Sequence, residues 1–153
     1  MGDLGLLGTF QHTIDEKNRL SIPGKFRDYL NAISLGVVVV TISAEDPCLT
    51  AYPTPEWEAK TEQIEKYSTM MNKESTQFQR IFYSNASDCS LDKQGRIIIP
   101  PPLRQHARLT KEVIIVGMKK RFEIWDRTEW ERQEAYLKTN RTKIQKALAG
   151  SGI

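Results

Sequence analysis

The sequence predicts an α+β protein built of two tandem β-hairpin modules, packed as a pseudo-twofold unit and flanked by helices. Three observations predict it. A motif of ten residues occurs twice, each copy is followed by two β-branched or aromatic runs, and each pair of runs leads into a helical pattern with a capping signal.

The repeat comes first, because self-similarity sets organisation ahead of any local reading. Ile14-Asp15-Glu16-Lys17-Asn18-Arg19-Leu20-Ser21-Ile22-Pro23 aligns with Leu91-Asp92-Lys93-Gln94-Gly95-Arg96-Ile97-Ile98-Ile99-Pro100, and Arg27 aligns with Arg104 at the same offset of 77. Val37–Val40 then matches Val113–Val116. Leu49–Tyr52 matches Phe122–Trp125, and Glu56-Trp57 matches Glu129-Trp130, at an offset of 73. The fall from 77 to 73 reads as a loop between the later strands that is four residues longer in the first copy.

Each copy is read in the same order. A short strand (Gln11–Ile14 or Asp88–Leu91) enters a turn and a second one (Leu20–Ile22 or Ile97–Ile99) leaves it. Proline ends the second strand because it removes a ladder donor. The segment holding Phe26, Arg27 and Leu30 predicts a helical turn, and two strands and a helix follow. Thr54-Pro55 suits an N-cap and first helical position, and Asp126-x-x-Glu129 has the form of a capping box. Trp57, Ile64, Met71 and Trp130, Leu137, Ile144 make apolar stripes at sevenfold spacing, expected to pack on a neighbouring surface. A copy of about 45 residues buries too little surface to stand alone. The two should therefore pack together as the intrachain analogue of a homodimer. The expected division is residues 6–58 for the first module, 59–86 for a helical linker, 87–131 for the second module, and 132–153 for a basic C-terminal helix and tail.

Composition bounds the function. Hydrophobic residues at 39% and charged residues at 27% are ordinary globular usage. No apolar run is long enough to predict a membrane helix, and Met1-Gly2-Asp3-Leu4 has no basic region that would open a secretory signal. Cys48 and Cys89 form no CxxC pair, so neither a disulfide framework nor a zinc site is expected, and the chain reads as reduced and cytosolic. His12 and His106 have no metal-ligand spacing and read as polar or packing residues; Trp57, Trp125 and Trp130 read as core or interface anchors. No nucleophile elbow, P-loop or dinucleotide fingerprint occurs, so no enzyme, cofactor or metal is expected. A net charge of +3 is too small to establish nucleic-acid binding unless the charge is clustered or multiplied by assembly.

It is clustered. Lys17, Arg19, Lys25 and Arg27 occur with no acid between them, and so do Lys93, Arg96, Arg104 and Arg108. Within each turn one copy has Asn18 and the other Gly95, the residue types that best tolerate a left-handed backbone. Asp15 and Asp92 can hydrogen-bond main-chain amides two or three residues on and so fix loop shape. That leaves Lys17, Arg19, Lys93, Gln94 and Arg96 on or beside two rigid turns, with groups suited to phosphate, guanine and adenine. A plainer reading stands beside this one: Arg19 and Arg96 pair with Asp15 and Asp92 and only brace the turns. The residue types alone leave both open.

The two D-x-x-[GN]-R-[LI]-x-I-P motifs resemble those of the MraZ family of transcription factors. The likeness includes His12-Thr13-Ile14-Asp15 and Gln79-Arg80-x-Phe82-x-Ser84-x-Ala86, and runs from about Leu6 to Glu131. The resemblance implies two AbrB-like swapped-hairpin modules in a sequence-specific DNA-binding regulator, a repressor at direct repeats upstream of the division and cell-wall gene cluster. It further implies a ring-shaped homo-oligomer, octamer- or dodecamer-like, in the cytoplasm and associated with the nucleoid. The family's loop residues carry over to Asp15, Lys17 and Arg19, and to Asp92, Lys93 and Arg96. The DNA-binding set expected here is Lys17, Arg19, Lys25, Arg27, Lys93, Gln94, Arg96 and Arg104; Asp15, Asn18, Asp92 and Gly95 shape the turns. Asn18 departs from the family's usual glycine. The alternative is an oligomeric protein-interaction ring with no direct DNA contact; partners that survive nuclease treatment in a pull-down would favour it.

Overall fold

The computed structural model of the chain describes residues 4–68 and 72–153. The first copy contains β1 (Thr9–Thr13), β2 (Arg19–Ser21), α1 (Gly24–Ser34), β3 (Val37–Ile42), β4 (Leu49–Pro53) and α2 (Thr54–Ser68). Then α3 (Lys73–Ser84) leads into β5 (Ser87–Ser90), β6 (Arg96–Ile98), α4 (Pro101–His106), β7 (Glu112–Gly117), β8 (Phe122–Asp126), α5 (Arg127–Thr139) and α6 (Arg141–Ala147). Pro23 and Pro100 do double duty, closing β2 and β6 and standing as the N-cap residues of α1 and α4.

One sheet runs β1-β7-β8-β4-β3-β5, and a two-stranded ribbon pairs β2 with β6. Exchanging the two copies reads both orders backwards. A pseudo-twofold axis therefore passes between β4 and β8, where Thr50 faces Glu123, and through the ribbon, where Leu20 faces Ile97. The hairpins are swapped: β1 pairs antiparallel with β7 of the second copy, and β5 with β3 of the first. Each copy thus completes the other's sheet, and one core serves both. Leu20, Ile22, Phe26 and Leu30 join Ile97, Ile99, Leu103 and Leu109 in a single buried cluster. Phe26 sits at its centre, its ring 5.3 Å from that of Phe10 and 5.4 Å from that of Phe122. On α1, Phe26, Leu30 and Ser34 recur every fourth residue on the buried face, which is why the segment makes an 11-residue helix rather than a single turn.

The register of the valine run differs from the sequence expectation. Residue types match Val37 with Val113; in the structure Val38 and Val40 take the places of Val113 and Ile115, all four fully buried. Val40 pairs with Ala51 as Ile115 pairs with Ile124. A run of four β-branched residues has no alternation to mark its inner face, and a slip of one residue turns every side chain over. The first copy's extra length is consequently split between a longer α1, 11 residues against 6 in α4, and the β3–β4 connection.

The helical stripes fare unequally. Ile64 and Trp57 pack with Tyr52 and Phe82, because α3 folds back over α2; Met71 lies outside the described residues. In α5 Trp130 packs edge-on against Trp125, while Leu137 stays 39% exposed. The capping box is half formed. Asp126 Oδ2 accepts from the Thr128 amide at 3.1 Å, but the Glu129 carboxylate accepts from Arg108 and Arg132 instead. Among the described residues no helix is long and apolar enough to cross a membrane.

Candidate nucleic-acid interface

The two turns are near copies at atomic detail. Asp15 Oδ1 accepts from the Lys17 and Arg19 amides, both at 2.9 Å, and Oδ2 accepts from Arg19 Nε at 2.6 Å. Asp92 Oδ1 accepts from the Gln94 and Arg96 amides, again at 2.9 Å, and Oδ2 from Arg96 Nε at 2.9 Å. Main-chain amide bonds from Arg19 and Arg96 are the main cause holding the Asp15 and Asp92 carboxyls below their ordinary value, with the guanidinium bonds adding to it. Asn18 and Gly95 both take positive φ, 64° and 76°.

The plainer reading of Arg19 and Arg96 is thus correct as far as it goes: each pairs with the aspartate of its own turn. Yet the pairing does not hide them. It runs through Nε, and the Arg19 and Arg96 side chains remain 31% and 24% exposed. Arg96 Nη2 also donates to Gln94 Oε1 at 3.3 Å, and Nη1 stands 3.9 Å from the Asp15 carboxylate of the other turn. The carboxylates therefore aim the guanidinium planes rather than cover them.

Arg27 and Arg104, also in the expected DNA-binding set, stand on α1 and α4 rather than on the turns. Each reaches from the helix of one copy to the turn of the other. Arg27 Nη1 donates to the Gln94 carbonyl at 3.3 Å, and Arg104 Nη1 donates to Asn18 Oδ1. This cross-bracing explains the Gly/Asn difference between the turns. Arg27 lies over Gly95 so closely that a Cβ there would stand 2.1 Å from Arg27 Cδ. At Asn18 the side chain is itself the acceptor for the opposite arginine. Gly95→Ala should therefore destabilise by about 1–2 kcal/mol from the left-handed backbone alone, and further by displacing Arg27. A thermal melt should show a drop of several degrees at roughly 2–4 °C per kcal/mol, whereas an unchanged melting temperature would contradict both the positive φ at Gly95 and the seat of Arg27 against it.

The ribbon supplies the flat surface between the turns. Strand side chains alternate between faces. Leu20 and Ile97 are fully buried, so Arg19, Ser21, Arg96 and Ile98 point outward. The register sets Arg19 opposite Ile98 and Ser21 opposite Arg96. Lys17, Lys25, Lys93 and Gln94 are exposed around this face. On and beside the turns stand seven basic side chains, those of Lys17, Arg19, Lys25, Arg27, Lys93, Arg96 and Arg104, against the carboxylates of Asp15, Glu16, Asp28 and Asp92. Two of those four carboxylates, Asp15 and Asp92, are engaged by the turns' own arginines. Sequence reasoning missed the exposure of Ile98 and the crossing of Arg27 and Arg104. Three consecutive isoleucines in a strand cannot all face inward, but the run itself does not mark which of them faces out.

Elsewhere the chemistry is quiet. Burial, and then the nearby Arg27 charge, push His12 below its ordinary value, toward the neutral form. Burial pushes the Cys48 and Cys89 thiols up to about 12 and about 11, far from reactive thiolate. A recess of about 570 Å³ is lined by residues such as Thr50, Tyr52, Lys60, Phe78 and Glu123 and by none of the turn residues.

Two tandem modules with swapped hairpins, holding paired arginine turns at a shared ribbon, define a duplicated AbrB-like protein. Comparison with known proteins narrows that class. The family model described as "MraZ protein, putative antitoxin-like" matches twice, over residues 6–81 and 82–151. Transcriptional regulator MraZ of Colwellia psychrerythraea is 46% identical over 126 residues, 82% of each chain. The proteins of that name from Citrobacter koseri and Escherichia fergusonii are each 45% identical over 120 residues, 78% of each chain. The chain belongs to the MraZ family.

Proposed function

We propose that this chain is a sequence-specific DNA-binding transcriptional regulator, a repressor that binds direct repeats upstream of the division and cell-wall gene cluster. It works in the cytoplasm, on the nucleoid, as a ring-shaped homo-oligomer. The observation that carries the reading is the outward face of the β2–β6 ribbon, where Arg19 and Arg96 are clamped through Nε beside exposed Lys17 and Lys93. The names of the relatives support it.

The chemistry follows from the geometry. A two-stranded ribbon fits the major groove, and an arginine fork matches O6 and N7 of guanine or a phosphate. Because each carboxylate already fixes its guanidinium, less side-chain freedom is lost on binding. Gln94 can pair with adenine, and Lys17, Lys93 and Lys25 neutralise phosphates. Arg27 and Arg104 act one step back, holding the turns in shape.

A single pair of turns binds weakly; a ring that sets several pairs along one duplex raises their effective concentration. Titrated against DNA from upstream of its own coding sequence, the protein should show a log–log salt slope of about −6 to −10, near −0.9 for each phosphate neutralised. Affinity that does not change with salt would sink the reading.

A further inference from the structure

We propose that Ile98 reads sequence, as an apolar pad for the 5-methyl group of thymine, and that it does so on one side only of the pseudo-twofold. This rests on the DNA-binding reading above. Ile98 is 61% exposed between Ile97 and Ile99, both fully buried. It stands on the outward face of the ribbon directly opposite Arg19, and the corresponding rung across the axis pairs Arg96 with Ser21. The scaffold is symmetric here and the chemistry is not: one guanidinium has a branched alkyl neighbour, the other a hydroxyl.

An apolar side chain is out of place at the centre of a cationic face unless something apolar meets it. The only apolar group that base pairs present in the major groove is the thymine methyl. Isoleucine suits the task because its branched Cβ restricts χ1, so little freedom is lost on contact. The Arg19–Ile98 rung therefore prefers thymine beside the base or phosphate that Arg19 engages, while the Arg96–Ser21 rung accepts any base with a donor or acceptor. A protein with equal rungs would read a palindrome; unequal rungs give it a direction on the duplex.

The test compares two duplexes of the DNA upstream of the chain's own coding sequence, one amplified with thymine and one with uracil, which pairs identically but lacks the methyl. Wild-type protein should bind the thymine duplex more tightly, by about fourfold for each methyl covered. Ile98→Ser, which copies Ser21, should bind both duplexes equally, and Ile98→Val should retain the preference. Equal wild-type binding to the two duplexes overturns the proposal, and so does a preference that persists in Ile98→Ser, since DNA shape would then be its source. A change in assembled mass by light scattering in Ile98→Ser also overturns it, because the side chain would then be a contact between copies of the chain. Failure of the wild type to bind either duplex overturns the DNA-binding reading itself.

Discussion

Arg19→Ala combined with Arg96→Ala is expected to lower affinity for upstream DNA by about 100-fold or more, since each arginine fork on a base is worth about 1–3 kcal/mol. Assembled mass should not change. Each aspartate also accepts two main-chain amides, so the turns keep their shape without the guanidinium bonds. Partly exposed ion pairs such as these contribute little to folding. Removing the arginines also leaves the Asp15 and Asp92 carboxylates facing a polyanion uncompensated. The Arg19→Lys, Arg96→Lys pair separates charge from shape: it should keep most of the salt slope and lose discrimination between sequences, because lysine has no planar fork. Fluorescence anisotropy against upstream and unrelated duplexes reads both effects, and unchanged affinity in the double alanine variant would remove these arginines from the contact surface.

Leu20→Ala or Ile97→Ala is expected to cost about 2–5 kcal/mol of stability, the range for truncating a large buried aliphatic side chain. The two face each other at the pseudo-twofold, both fully buried, in a ribbon whose strands are only three residues long. The ribbon has no other apolar pair of its own across the axis, so its position depends on this contact. The double variant should lose less than the sum of the single losses, since the residues share a contact. Urea unfolding followed by tryptophan fluorescence reads the change. Exposed Ile98→Ala should fall within about 0.5 kcal/mol of wild type. Equal losses at Ile97 and Ile98 would contradict the register.

Much of the candidate site could be read in the chain. The duplicated Asp-x-x-x-Arg motif located both turns, and the Asn18/Gly95 column showed that each needs a positive φ. These are local properties, set by residues within five positions of one another. The long-range parts were not legible. Arg27 and Arg104 each lie twelve positions beyond the turn starts of their own copies, and nothing in that spacing reveals that each braces the other copy's turn.

What the sequence determined by itself is the module: turn chemistry, strand-ending prolines, capping at Asp126, and a copy number of two. It did so because turns and caps are decided by backbone preference and by hydrogen bonds between near neighbours. Only the tertiary structure decided how the modules join. It crossed β1 to β7 and β5 to β3, set Val38 rather than Val37 on the inner face, and left Ile98 outside. Those choices follow from packing two incomplete cores into one, a free energy that depends on contacts between distant residues and is written in no single stretch of the chain.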